Sequence, residues 1–105
     1  MDYVVVHKKR TNIISVSAGF DVSQDIITSE IREEPNPEAT LIATWSVSFL
    51  TDGIDGELIL TLDDSATDNI DKFIGWMDMK RITGGEPVNL FDDPLEVHFK
   101  DVVTV

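Results

Sequence analysis

The chain predicts an all-β fold: a single antiparallel β-sandwich of six to eight strands with one short helix near residues 64–71. Three observations carry this. Apolar residues alternate with polar ones in run after run, the period of a strand with one buried face. Clusters of Gly, Pro, Asn and Asp separate the runs at short intervals, as turns do. At 105 residues the chain can bury one core and no second, so residues 1–105 read as one domain.

Tyr3-Val4-Val5-Val6 and Ile13-Ile14-Ser15-Val16 are β-branched runs, predicted to be a first strand broken by a turn or kink around Thr11-Asn12. The second strand spans Ile26 to Glu33. It ends at Glu34-Pro35-Asn36-Pro37, because proline has no ladder N–H and holds the residue before it extended. The third strand, Leu41 to Leu50, places Leu41, Ala43, Trp45, Val47 and Phe49 on the core face.

The glycines of Asp52-Gly53-Ile54-Asp55-Gly56 permit the turn into Glu57–Leu62, whose three alternating leucines point inward. Asp63 to Ile70 breaks the period of two; Asp63, Asp64 or Ser65 would cap one or two helical turns there. The fifth strand, Phe73 to Ile82, carries Phe73, Gly75, Met77 and Met79 on an apolar face and Ile74, Trp76, Asp78, Lys80 and Ile82 on a mixed one. Gly84-Gly85 is a hairpin turn, followed by a short return over Pro87–Phe91. After Asp92-Asp93-Pro94, Leu95, Val97 and Phe99 alternate in a last strand.

Twenty acidic residues against eight basic give a formal charge of -12, which repels nucleic acid and anionic membrane surfaces. Three of the basic residues sit together at Lys8-Lys9-Arg10. The cluster reads as a basic turn, or as a contact for an acidic face of a neighbouring copy. No cysteine is present, so neither a disulfide nor a thiolate metal site exists. At the N-terminus the charge follows a short apolar run, the reverse of a signal peptide, and no run approaches the roughly 18 apolar residues of a membrane span.

No catalytic, cofactor or metal constellation emerges. His7 and His98 lie in predicted strands and face solvent, and no serine has a histidine near it in sequence. Asp52, Asp55, Asp63, Asp64, Asp68 and Asp71 are hard oxygen donors, but their spacing matches no EF-hand loop and reads as turn formation and capping. The remaining candidate is an interface: Trp76 shares an outward face with Ile74 and Ile82 unless a bulge near Gly75 reverses the register, and it reads either as an aromatic anchor of the kind that dominates binding energy or as a side chain packed beneath a loop or the acidic helix, with Lys8, Lys9 and Arg10 as a second contact.

The succession ITSEIREEPNP, GELILTLDDSATDNI and FIGWMDMKRITGGEPVNLFDDPLEVHFKDVVTV resembles the small immunoglobulin-like β-sandwich proteins encoded in tailed-phage and prophage structural gene clusters, the LtfC-type group among them. The matching features are Ile31-Arg32 with Pro35, Gly56 to Leu62, Ser65 to Ile70, Trp76 to Met79, Gly84-Gly85 and a terminal valine-rich strand at Val102 to Val105. The chain departs from that pattern at Met77, where an aromatic is usual, and in its acidic Pro87–Pro94 segment. The resemblance implies a non-enzymatic virion part of head, neck or tail, docking on copies of itself or on other virion proteins, in the particle or in the host cytoplasm during assembly. A sandwich that binds carbohydrate or another host-surface ligand through an exposed aromatic is the alternative.

Overall fold

The computed structural model describes residues 3–104, and the chain is all-β with a single helical turn. Its elements are β1 (Tyr3–His7), β2 (Asn12–Ser17), β3 (Ile26–Arg32), β4 (Leu41–Phe49), β5 (Glu57–Leu62), α1 (Asp64–Thr67), β6 (Ile74–Thr83), β7 (Glu86–Asn89) and β8 (Leu95–Lys100). The strands are hydrogen-bonded in the order β1-β8-β6-β3-β4-β5-β2, with β7 also pairing with β6.

One strand folds this path on itself. β4 pairs with β3 through its first half, as in Ile31↔Ala43 and Ser29↔Trp45, and with β5 through its second half, from Ser46↔Thr61 to Phe49↔Leu58. The two halves of the sheet face each other across one core, in a nearly barrel-like arrangement. Ile31, Trp45, Met77, Met79, Val97 and Phe99 come from one half and meet Leu58, Leu60 and Leu62 of β5.

The sheet is mixed, which corrects the expectation of a purely antiparallel one. β1 runs parallel to β8 over five pairs, from Tyr3↔Glu96 to His7↔Lys100. The expected break in the first strand is real, but its two parts occupy opposite ends of the strand order. Asn12 holds the corner between them. Its Oδ1 accepts from the His7 amide at 2.9 Å, and its Nδ2 donates to the carbonyls of His7 at 2.9 Å and Arg10 at 3.0 Å. Asn12→Ala would leave these main-chain groups without partners, at an expected cost of about 1–3 kcal/mol in urea denaturation. Asn12→Asp should cost at least as much, because a carboxylate would meet two carbonyl oxygens. Two variants as stable as the parent would refute this role.

Other expectations are refined. Met77, Met79 and Trp45 are buried as the alternation requires, but Leu41 is 46% exposed. The pairing register shifts between Ile31 and Arg32, opposite Leu41, and carries that side chain off the core face. Phe73 is exposed as well, just before β6 begins. The helix is one turn, not 64–71. Asp63 sits at its N-cap without accepting a capping hydrogen bond, and with Asp68 and Asp71 following and no basic residue in the last turn, the dipole opposes extension. Gly84 and Gly85 both have positive φ, 56° and 83°, as a two-residue hairpin turn demands. Val102 to Thr104 form no strand and Val103 is fully exposed; Val105 lies outside the described residues.

Candidate docking surface

The outward face of the β1-β8-β6-β3 half holds the residues that the alternation turned away from the core. Trp76 stands at its centre, opposite Arg32 of β3 on one side and Glu96 of β8 on the other. Its side chain is half-buried in the floor of a groove of about 290 Å³. Thr28, Glu30 and Arg32 of β3 and Asp78 and Lys80 of β6 continue the floor, the Glu34–Pro37 segment forms one wall, and Asn89 and Pro94 close the other.

The proline wall is anchored by the groove floor. The Arg32 guanidinium donates from Nη1 to the Ala39 carbonyl at 2.8 Å and pairs through Nη2 with Glu30 at 2.9 Å. The Glu33 amide donates to the Thr40 carbonyl, and Asn36 accepts the Glu38 amide through Oδ1. Lys72 lies 2.8 Å from Glu33. Hydrogen bonds from Lys72 and then Thr40 hold the Glu33 carboxyl below its ordinary range, and the same contact raises the Lys72 ammonium. The groove thus has one hydrogen-bonded wall beside an aromatic floor, with both signs of charge among its lining residues.

The predicted interface residues do not form one patch. Ile74, 47% exposed, lies beside Trp76 and opposite His98. Ile82 is at the far end of β6, opposite Ile26 and Pro87, and Asp78 and Lys80 separate it from Trp76. Lys8 is not a surface contact. It is 8% exposed, its Nζ lies 4.4 Å from the centre of the Phe73 ring, and it pairs with Asp101 at 3.2 Å. Its aliphatic stem covers apolar surface, so the side chain turns inward. Arg10 donates to the carbonyls of Lys9 and Thr104, which leaves Lys9 as the exposed member of the cluster.

Sequence reasoning missed a neighbouring feature. Tyr3 stacks on His98 with ring centroids 4.1 Å apart, and His98 Nε2 lies 2.9 Å from Glu96. His98 is therefore half-buried instead of free in solvent. Alternation gave its face, but only the parallel pairing of β1 with β8 brings Tyr3 to it. Of the acidic loop residues, Asp52 and Asp55 serve the local turn by accepting the amides of Ile54 and Glu57, and among the described residues no three His, Cys, Asp or Glu side chains converge on a point that could hold a metal. No helix among the described residues is long and apolar enough to cross a membrane. No protein-family model matches the chain, and no curated protein does.

Proposed function

We propose that this chain is a non-enzymatic docking module, an immunoglobulin-like sandwich that serves as a structural or assembly part of a phage or prophage particle and holds a partner protein through the Trp76 groove. The observation that supports the reading most is Trp76 itself. A large aromatic, half-buried in a concave floor with one wall tied to the sheet by hydrogen bonds, can anchor a partner side chain or loop with reduced ordering cost. The virion context comes from the resemblance carried by the Ile31-Arg32, Trp76–Met79 and Gly84-Gly85 elements.

The test is affinity capture from phage-producing cells with the parent chain and Trp76→Ala. The parent is expected to retain one defined particle protein, and the variant to lose it. Truncating the half-buried ring should cost about 1–2 kcal/mol of stability and leave the domain folded, which circular dichroism checks. A capture pattern that Trp76→Ala leaves unchanged would exclude the groove.

One observation favours a second reading. Glu30, Asp78 and Asn89 line the same groove as the indole and supply hydrogen-bonding groups, the combination that suits a sugar ring stacked on Trp76. Glycan-array binding abolished by Trp76→Ala, with no protein captured, would establish that reading in place of the first.

A further inference from the structure

We propose that β2 is a self-association edge, across which two copies of this chain join their sheets about a two-fold axis. The inference rests on β2 and is independent of the groove. Among the described residues β2 pairs with β5 alone and ends the strand order. The Ala18 amide donates to the Gly56 carbonyl at 2.8 Å, so Ala18 faces β5. By the alternation of an antiparallel ladder, Val16 and Ile14 face β5 too, and the main-chain groups of Ile13, Ser15 and Ser17 point to the free edge.

Those three residues have the spacing that a two-fold needs. With Ser15 opposite its own copy, Ile13 meets Ser17 of the second chain, and each outward-pointing N–H and C=O finds a partner. The same register sets Ile14 against Val16, both only partly buried at the rim of the core. Ile13, 64% exposed, would be covered as well.

Exposed edges normally carry a device against such pairing, such as a charge, a proline or a bulge. β7 has Glu86 and Pro87. On β1, the Lys8 amide donates to Lys100 of β8, so His7 faces outward, where the Asn12 side chain occupies its main-chain groups. β2, Asn-Ile-Ile-Ser-Val-Ser, has no charge, no proline and an unbroken register with β5.

Charge selects the same edge. Two copies of a chain of formal charge -12 repel, and they approach most readily where charge is missing. Among the outward-facing residues of β2, β5 and the Ser46–Phe49 half of β4, Glu57 is the single charged one. In the proposed register Glu57 sits beside Ser17, one strand in from the joint, so the two copies' Glu57 residues do not face each other. One strand pair is small against the roughly 1,600 Å² of a standard interface, so the dimer is reversible, with a Kd on the order of tens to hundreds of micromolar.

Sedimentation velocity of the purified chain from about 5 µM to about 1 mM tests this range. The weight-average mass is expected to rise from 11.7 kDa toward twice that value, and to rise further with added salt as the repulsion is screened. Ser15→Asp, which sets two like charges on the axis, and Ser15→Pro, which removes an amide that points to the free edge, should both remain monomeric. Trp76→Ala should dimerise as the parent does, which separates this edge from the groove. A parent that is monomeric throughout, a dimer that Ser15→Asp leaves intact, or one that salt dissolves, as ion pairs through Lys9 and Arg10 would be, overturns the proposal.

Discussion

Gly56→Ala is expected to be among the most damaging single substitutions in this chain, costing about 3–5 kcal/mol of the 5–15 kcal/mol that holds a typical domain. Two effects add. Gly56 has φ of 76°, where a side chain costs about 1–2 kcal/mol on its own. An added Cβ would also lie 2.4 Å from the Phe20 carbonyl oxygen and 3.0 Å from the Phe20 amide nitrogen. That oxygen belongs to backbone, so relief requires moving the whole segment between β2 and β3. The segment is tied down: Ala18 donates to Gly56, Val22 donates to Gly53, and the Val22 side chain is buried in the core. Gly84→Ala is the control. Its φ is 56°, yet nothing lies within 4 Å of the added carbon, so about 1–2 kcal/mol is expected. Urea denaturation of the two variants side by side decides the matter, and equal losses would show that the Phe20 contact is of no consequence.

Trp45→Ala should lose a comparable amount, about 3–5 kcal/mol, while Trp45→Phe should stay within about 1 kcal/mol of the parent. Trp45 is buried at the point where β4 passes from β3 to β5, so its ring fills the fold of the sheet. Its Nε1 is buried without a hydrogen-bond partner among the described residues. Phenylalanine keeps most of the apolar volume and removes that unpaired donor, so the two effects offset. Fluorescence provides a second readout, because Trp45 and Trp76 are the two tryptophans of the chain. Trp45→Phe should abolish the blue-shifted emission of the buried indole and leave that of Trp76. A loss of about 3 kcal/mol or more in Trp45→Phe would mean that the N–H has a partner after all.

What the sequence made legible was whatever depends on neighbours a few residues away. Alternation placed Met77 and Met79 inward and Trp76 outward, and the paired glycines marked the β6–β7 turn. What it hid depends on partners far along the chain. Nothing in Tyr3–His7 says that it lies parallel to Leu95–Lys100, so neither the mixed sheet nor the Tyr3–His98 stack could be read in advance. The even alternation of β4 gives no sign that it changes partner at Trp45, because both partners bury the same face. In sequence Lys8 is one of three adjacent basic residues, and only the fold brings Phe73 and Asp101 around it. The groove is half legible: alternation sets Trp76 apart from the core methionines, but the proline segment becomes its wall through the Arg32 to Ala39 hydrogen bond.

The parallel ladder between β1 and β8 also determines how the molecule would bear force. A pull at the start of β1 and at the end of β8, in opposite directions, runs along both strands and loads their five residue pairs together. An antiparallel hairpin pulled from its open end would instead yield one pair at a time. Under tension between its first and last strands the fold acts as a shear clamp, with resistance that comes from backbone pairing and does not depend on what occupies the groove.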